Sequence, residues 1–448
     1  MKKAVSLFLC ILLIACGTLP LYADVSDVVA LVPPPDTPHA SAAYVCHLGS
    51  GTVMLAKNVD SVRFPASTVK IMSGLIACRL AEGQLERQIT VTAQMLEDVG
   101  GRTLKLKSGE LVTVQDMLYA AFCGGHNDAV NVLAYALCGS TQAFVEQMNR
   151  EAATLGAEQT VYTNPTGLHD DAMVTTAADT AKIATEAAKN PLFMQITSAV
   201  KYKMPATNLS IERMIHNRNS LTQYGNYFNA SCKGMNAGET DEGGLCCVTI
   251  AERDQEQYLC LVMGAEDDMI PSKNDPEKLE YVDYSYQHIN ELADWACDSF
   301  TTRQVLEAGQ TTIKIPVENT GVFGLEIDVC AKESLSVFLP REATDDQLDV
   351  RCHLNQTYVD APVKSGQVVG VITVRYKGTI LGSVDAVILE EHARNPIMNG
   401  IALLSDYVSS RAFAASAVCA VLLIAGYFFY VYSGFSRRPK RGKYTRRR

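Results

Sequence analysis

The sequence predicts an α+β fold: a helical cluster on an antiparallel sheet, then a small all-β domain and a C-terminal transmembrane helix. Three observations favour it. Strand-like runs come first, helical segments follow to about residue 189, and two strand-like runs precede a further helix ending near residue 300. This order is typical of helices packed against one antiparallel sheet. Beyond residue 301 short β-rich runs recur, and an uncharged apolar segment follows them.

The first domain is predicted to span residues 24–300. Its strand-like runs are bounded by glycine-rich or charged turns, and they comprise residues 42–46, 52–55, 245–251 and 258–263. Its helices are predicted to begin near Ser67, Thr113 and Thr141, and the first of them continues to Glu82. Residues 283–300 are predicted to form a helix whose buried side carries Tyr286, Ile289, Leu292 and Trp295.

The second domain is predicted to be a small β domain over residues 301–390. Its β-rich runs are residues 312–317, 335–339, 368–374 and 380–389. Residues 391–411 are compatible with a helix and are predicted to connect this domain to the membrane. Residues 412–432 carry no charge, and a helix of that length spans about 30 Å, the thickness of the hydrocarbon core.

The two ends of the chain predict a single-pass protein of the cell membrane. Residues 1–23 have the features of a secretory signal, since Lys2 and Lys3 precede an apolar run. Cleavage near Ala23 is favoured, because the C-terminal helix already supplies an anchor. Lipidation of Cys16, which lies in a stretch resembling a bacterial lipobox, remains the alternative. The basic residues 433–448 are predicted to be cytoplasmic, which places the two folded domains outside the cell.

The charge balance argues against nucleic acid as a partner of the main body. The net charge is −10, and the last twelve residues carry eight positive charges and no acid. Removing those eight charges leaves about −18 on the rest of the chain, which would repel a phosphate backbone.

The cysteine pattern predicts neither a metal site nor a complete disulfide framework. Of 14 cysteines, Cys10, Cys16 and Cys419 lie in the leader and the membrane segment. The remaining eleven are an odd number and cannot all pair with one another. Their spacing matches no zinc site. No metal or organic cofactor is therefore predicted, and the disulfide pairing stays open.

Ser67 and Lys70 form the candidate catalytic pair. They are three positions apart at the predicted start of a helix, so their side chains lie about one turn apart on one face. A serine hydroxyl is a weak nucleophile, but a neutral lysine amine at that distance can accept its proton. Burial or neighbouring cations must lower the lysine pKa for this to happen. The N–H groups of the helix start can stabilise an oxyanion.

Several further segments occur in the order found in one protein family. They are residues 64–72, 127–134, 144–149, 164–168 and 238–246. With these segments the first 300 residues resemble the low-molecular-weight penicillin-binding proteins, the serine-type D-alanyl-D-alanine carboxypeptidases, whose nucleophile lies in a Ser-x-x-Lys motif. The resemblance implies peptidoglycan stem peptides as substrates, β-lactams as acylating inhibitors, and a C-terminal β domain followed by a membrane anchor.

Two motifs of that family are altered in this chain. Where the family has Ser-x-Asn, residues 125–127 are Gly-His-Asn, so only the asparagine is kept. The family's Lys-Thr-Gly corresponds to Asn-Ala-Gly at residues 236–238, which removes the lysine and the threonine. An alignment that uses Lys233 instead breaks the match that follows it. On a regular strand, moreover, positions 233 and 236 face opposite sides.

The resemblance assigns roles residue by residue. The implied catalytic residues are Ser67, Lys70 and Asn127, and the implied substrate-binding residues are His126, Asn236, Ala237, Gly238 and Glu239. The N–H groups of Ser67 and Glu239 are expected to form the oxyanion hole. The altered third motif removes a charged partner of the substrate's terminal carboxylate, worth about 1.5–3 kcal/mol.

The sequence allows two interpretations of His126. In the first, it compensates for the lost third-motif lysine and threonine by relaying a proton or, when protonated, by binding the substrate's carboxylate. In the second, it is an ordinary surface histidine whose hydrogen bonds are satisfied. Lys233 is a weaker candidate for the lost positive charge.

Three functions remain open from the sequence. The first is a carboxypeptidase that removes the terminal D-alanine from stem peptides through an acyl-enzyme. The second is an exported serine hydrolase of the same fold with altered specificity, such as an endopeptidase or esterase, because a free carboxylate is less firmly held. The third is a non-catalytic protein that binds the cell wall.

Overall fold

The computed structural model describes residues 26–272 and 277–435. The predicted signal peptide, with Cys16, lies outside these residues, and so does the basic tail from residue 436. Within the described residues the predicted fold class is confirmed. A domain of helices on an antiparallel sheet is followed by an all-β domain and one long apolar helix.

The regular elements follow the predicted order along the chain. The helices are α1 (Ser26–Val29), α2 (Val69–Leu80), α3 (Val114–Leu118), α4 (Asn127–Cys138), α5 (Thr141–Thr154), α6 (Ala177–Ala188), α7 (Pro191–Ser198), α8 (Tyr284–Ser299), α9 (Pro396–Val408) and α10 (Arg411–Phe435). The first strands are β1 (Ala40–His47), β2 (Val53–Lys57), β3 (Gln88–Thr90), β4 (Leu111–Thr113), β5 (Lys201–Met204), β6 (Arg213–His216), β7 (Cys232–Thr240), β8 (Gly244–Arg253), β9 (Glu256–Ala265), β10 (Asp267–Pro271) and β11 (Leu279–Asp283). The later strands are β12 (Phe300–Leu306), β13 (Thr311–Glu318), β14 (Glu326–Ala331), β15 (Leu335–Pro340), β16 (Leu348–Leu354), β17 (Val359–Asp360), β18 (Gln367–Tyr376) and β19 (Thr379–Ile388).

Five strands form the central antiparallel sheet, in the order β2-β1-β9-β8-β7. The middle strand, β9, is buried on both faces. Leu259 and Leu261 belong to the core shared with α2, whereas Cys260 and Val262 belong to the core under α8. Because successive residues of a strand face opposite sides, such a strand is apolar throughout. β7 lies at the edge of the sheet, where it borders the cleft described below.

The predicted hairpins and helix starts are confirmed, with one difference at the candidate nucleophile. β1 pairs with β2 and β8 with β9. Thr113 caps α3 by accepting a hydrogen bond from the Asp116 N–H. At the candidate nucleophile the helix does not begin as α-helix. A 3₁₀ turn, Ala66–Thr68, comes first, and α2 begins at Val69.

Helix α8 covers the face of the sheet opposite α2. As predicted, Tyr286, Ile289 and Leu292 are buried. Trp295 was predicted to be buried and is only half-buried. Its indole Nε1 donates to the Val32 carbonyl at 3.2 Å, which keeps the polar edge of the ring near the surface.

The all-β domain contains a six-stranded sheet in the order β16-β18-β19-β14-β13-β17, and β12 pairs with β15. Aromatic rings join it to the first domain. Phe338 on β15 stacks on His47 with ring centroids 4.4 Å apart, and on Phe300 at 5.4 Å. Beyond this domain, residues 411–433 of α10 have a mean hydropathy of 2.2 and none of that stretch is buried.

The cysteines that the structure describes are all free thiols. Cys246 and Cys247 are buried on opposite faces of β8, one in each core. These adjacent cysteines therefore act as small apolar core residues.

Candidate active site

A cleft of about 270 Å³ lies between the start of α2, the turn before α4 and the edge strand β7. The residues that line it are Ser67, Lys70, Gly101, Arg102, Gly125, Asn127, Thr166, Gly167, Leu168, Arg218, Asn236, Ala237, Gly238, Glu239 and Thr240. The structure thus brings together the three residues expected to be catalytic and four of the five expected to bind substrate. The exception is His126.

Ser67 lies in the 3₁₀ turn that precedes α2. Ala66 before it has a φ of +47°, a left-handed conformation that costs about 1–2 kcal/mol for a residue with a Cβ. The Thr68 hydroxyl donates to the Pro65 carbonyl at 2.5 Å and holds the turn. These two features present Ser67 at the cleft, outside the regular helix.

Lys70 is buried at the base of the cleft, and its surroundings favour the neutral amine. Burial, and then the positive charge of Arg218, lower the pKa of Lys70 to about 7. Its Nζ donates to the Thr166 carbonyl at 2.5 Å. In the described chain no hydrogen bond joins Nζ to Ser67 Oγ. Both groups line the same cleft, and catalytic hydrogen bonds often form only when substrate is bound.

The acylation rate is expected to rise with pH and to level off above about pH 7, because only the neutral form of Lys70 accepts a proton. Replacing Arg218 by glutamine removes a nearby cation that disfavours the ammonium form. The lysine pKa then rises, and the inflection moves to higher pH. Second-order rate constants for penicillin acylation between pH 5.5 and 9 measure this shift. Arg150→Gln, an exposed position on α5, is the control, and an unmoved inflection in Arg218→Gln contradicts the assignment.

Two glycines allow the walls of the cleft to approach the nucleophile. A Cβ on Gly238 would lie 2.5 Å from Ser67 Cβ and 2.6 Å from Ser67 Oγ. A Cβ on Gly167 would lie 2.3 Å from the Ala66 carbonyl oxygen. β7 and the loop at residues 164–168 are therefore in direct contact with the turn that carries Ser67.

Gly238→Ala is expected to lower penicillin acylation about 10²-fold, because a displacement of about 1 Å at a reacting group has that effect. Thermal unfolding should also report a loss of about 1–3 kcal/mol from overpacking. Gly225→Ala is the matched control, since a Cβ there has no neighbour within 4 Å. Acylation within twofold of the wild type would show that β7 yields without disturbing Ser67.

Asn127 and Asn236 both line the cleft, and each has a side-chain oxygen without a hydrogen-bond partner in the described part of the chain. Both side chains are buried, and neither Oδ1 has a hydrogen-bond partner among the described residues. Asn127 Nδ2 donates to the Gly100 carbonyl at 2.9 Å, which fixes its orientation. A buried acceptor without a partner is costly, so both positions suit a ligand that brings N–H donors.

His126 does not behave as either sequence interpretation expected. It is buried, does not line the cleft, and its Nδ1 donates to the Ala120 carbonyl at 2.9 Å. Burial lowers the pKa of its imidazole, and the charge of Arg102 adds to this effect. A neutral ring behind the cleft wall is a poor partner for a carboxylate. The predicted substrate-binding role stays a prediction, and the histidine is hydrogen-bonded in the interior instead of at the surface.

Lys233 is exposed and lies outside the cleft, where its Nζ donates to the Ala230 carbonyl at 3.2 Å. It does not replace the lost third-motif lysine.

The sequence analysis missed two cleft residues, Arg102 and Arg218. Arg218 approaches Glu239 at 3.6 Å, and Arg102 has no ion-pair partner in the described residues. The positive charge of Arg218, after burial, lowers the pKa of the Arg102 guanidinium. The cleft thus carries more positive than negative charge despite its altered third motif. Guanidinium groups suit carboxylates and other anions, so two of them on one cleft favour an anionic ligand there.

The local sequence did contain an indication of Arg218. The asparagines on either side of it are buried and bind the backbone. Asn217 Nδ2 donates to the Thr197 and Ala199 carbonyls, both at 2.7 Å, and Asn219 Nδ2 donates to the Gly234 carbonyl at 2.8 Å. These bonds anchor the backbone on both sides of Arg218, so the loop holds this arginine at the edge of the cleft.

Comparison with known proteins decides the family. A family model described as D-alanyl-D-alanine carboxypeptidase matches residues 29–267, more than half of the chain. The chain belongs to this family of serine peptidases. A second model, described as the C-terminal domain of penicillin-binding protein 5, matches residues 300–394 of this family member.

Individual relatives agree with that membership. The chain is 25% identical to D-alanyl-D-alanine carboxypeptidase DacF of Bacillus subtilis over 347 residues, covering 76% of this chain and 83% of the relative. It is 26% identical to a D-alanyl-D-alanine endopeptidase of Pseudomonas aeruginosa over 249 residues, or 53% and 77% of the two chains. The crystal structure of D-alanyl-D-alanine carboxypeptidase DacD from Francisella tularensis is similar, with a TM-score of 0.61, 20% identity, and 81% and 96% coverage. The structural likeness supports the fold alone.

Proposed function

We propose that this protein is a D-alanyl-D-alanine carboxypeptidase that removes the terminal D-alanine from peptidoglycan stem peptides and is acylated by β-lactams. The observation that carries this proposal is the pair Ser67 and Lys70 at one cleft, with the pKa of the lysine lowered to about 7. A free amine in that position at neutral pH supplies the base that the serine needs.

The proposed reaction is acyl transfer followed by hydrolysis. Ser67 Oγ attacks the carbonyl of the penultimate D-alanine while Lys70 Nζ takes the hydroxyl proton. The N–H groups of Ser67 and Glu239 stabilise the oxyanion. When the tetrahedral intermediate collapses, Lys70 returns the proton to the leaving amine, and terminal D-alanine departs. Water then attacks the ester carbonyl while Lys70 Nζ takes one of its protons. When the second tetrahedral intermediate collapses, Lys70 returns that proton to Ser67 Oγ, and the shortened peptide leaves with a new C-terminal carboxylate.

Arg102 and Arg218 favour a carboxypeptidase over a serine hydrolase that no longer binds the substrate's C-terminal carboxylate. The absent third-motif lysine and threonine would leave the terminal carboxylate without a charged partner. Two arginines on the same cleft supply that charge from other elements. The unpaired Oδ1 atoms of Asn127 and Asn236 can accept hydrogen bonds from amide N–H groups of the peptide. Asn236 through Glu239 then form the wall along which the substrate lies.

The proposal is tested with two acyl-D-Ala-D-Ala peptides, one with a free C-terminal carboxylate and one amidated. Release of D-alanine from the free acid is expected to exceed release of its amide by about tenfold to a hundredfold, the range for a charge-assisted hydrogen bond. The double variant Arg102→Gln/Arg218→Gln should remove this preference. Absence of both D-alanine release and fluorescent-penicillin labelling would leave only the wall-binding hypothesis.

The location of the protein is part of the same proposal. We infer that residues 411–433 anchor the chain in the cell membrane, with the catalytic and β domains outside and the basic tail inside. In the same proposal, the first domain ends near residue 300, the β domain ends near residue 390, and residues 391–411 connect it to the membrane. Retention of the full-length protein in membranes after alkaline extraction, and its release after deletion of residues 411–448, would support it.

A further inference from the structure

A second cavity of about 370 Å³ lies on the other side of β7 from the catalytic cleft. The two spaces share Arg218 and the strand residues 237–239. The far walls are formed by the start of α8, by β11 and by the loop at residues 218–227. The ion pair of Arg218 with Glu239, at 3.6 Å, lies where the two spaces meet. The volume is in the range of small-molecule sites in proteins.

The lining of this second cavity combines carboxylates with aromatic rings. Asp283 is 7% exposed and caps α8, with its Oδ1 accepting from the Ser285 N–H at 2.9 Å and the Ser285 hydroxyl at 2.6 Å. The hydrogen bonds to this carboxylate from Ser285 and from the Tyr286 N–H all go to Oδ1. Glu239 adds a second carboxylate, and Tyr227, Tyr281 and Tyr286 contribute rings.

This composition suits an organic ammonium group. A carboxylate accepts a strong charge-assisted hydrogen bond from a cationic amine, and tyrosine faces attract the same charge. Burial, together with the nearby negative charge of Glu239, raises the pKa of Asp283, so an added cation would relieve repulsion between the two carboxylates. A neutral apolar group would leave the carboxylates of Asp283 and Glu239 without a counter-charge.

We propose that this second cavity receives the side chain of the leaving residue and selects a D-amino acid whose side chain ends in an amine, as in a diamino acid. The inference rests on the proposed function, because Arg218, assigned there to the leaving residue's carboxylate, also lines this cavity. A D-alanine leaving group fills the cleft alone. A longer leaving residue keeps its carboxylate at Arg218 and extends past Glu239 towards Asp283. The chemistry is unchanged: Ser67 is acylated and the leaving amine takes its proton from Lys70.

Three peptides test this inference: acyl-D-Ala-D-Ala, acyl-D-Ala-D-Lys and acyl-D-Ala-D-norleucine, the last being the uncharged counterpart of lysine. The full-length protein is expected to cleave the D-lysine peptide with a kcat/KM about tenfold or more above that of the D-norleucine peptide. Asp283→Asn should bring this ratio close to one, because it removes the carboxylate that binds the amine. The variant should still fold, since asparagine also caps a helix. Asp294→Asn is the matched control, because Asp294 is an exposed carboxylate on the same helix, α8, and does not line the cavity.

The outcomes separate this inference from the function on which it rests. Release of D-alanine with equal rates for D-lysine and D-norleucine overturns the inference and leaves the carboxypeptidase proposal intact. The same preference in wild type and Asp283→Asn also overturns it. Release from none of the three peptides overturns both proposals. Tyr281→Ala, on the exposed hairpin, provides a second variant if Asp283→Asn does not fold, and it too should lower the D-lysine to D-norleucine ratio.

Discussion

Replacing Ser67 with alanine is expected to abolish covalent labelling by a fluorescent penicillin and to reduce D-alanine release by about 10⁴-fold or more, as loss of a nucleophile does in other serine hydrolases. The reason is that no acyl-enzyme can form without the hydroxyl at the head of α2. The variant should fold normally, because Ser67 Oγ makes no hydrogen bond within the described chain. Labelling in a gel and release of D-alanine from an acyl-D-Ala-D-Ala peptide measure the two effects.

Ser61→Ala is the matched control for this variant, since Ser61 is exposed and lies six positions earlier in the same segment. It should label like the wild type. Penicillin labelling that survives in Ser67→Ala would place the nucleophile elsewhere in the chain and remove the basis of the proposed mechanism.

Replacing Lys70 with methionine is expected to slow acylation by about 10²–10⁴-fold, the usual contribution of a general base. Methionine has a similar length and fills the buried site, so the shape of the cleft is kept. Burying an amine is unfavourable, as the lowered pKa of Lys70 shows, and the variant should unfold at the same or a higher temperature than the wild type. Stopped-flow acylation and thermal unfolding test these two expectations together.

Lys57→Met is the control for the loss of a lysine that binds backbone carbonyls. Lys57 Nζ donates to the Thr37 carbonyl at 2.5 Å and to the Ala40 carbonyl at 2.8 Å, away from the cleft. It should lose stability and keep its acylation rate. If Lys70→Met acylates as fast as the wild type, another group accepts the proton of Ser67.

Much of the fold followed from local patterns. The two-sided burial of β9 is visible in an apolar run without alternation, and the cap of α3 is visible in Thr113 followed three positions later by Asp116. Such features depend on neighbours in sequence, which is why they are predictable. Trp295 is less buried than predicted. Periodicity identifies the buried face of a helix, but it does not show where the indole N–H of a tryptophan finds its hydrogen-bond partner.

The site was predictable only where its parts are close in sequence. Ser67 and Lys70 are linked by helical spacing, and the resemblance located Asn127 and residues 236–239. The position of His126 beside Asn127 suggested access to the cleft, but its side chain is buried and bonded to the Ala120 carbonyl. Arg102 and Arg218 were missed, because each lies in a loop and their joint position depends on how separate loops meet.

The sequence by itself determined the order of sheets and helices and the apolar C-terminal helix, and it predicted the nucleophile and its base. Each of these rests on spacing within a few turns of chain or on composition. Only the tertiary structure decided that the cleft stays positively charged, that Lys70 has a pKa of about 7, and that a second cavity lies behind β7. Charge interaction and desolvation depend on distance through space, and folding sets that distance between residues far apart in sequence.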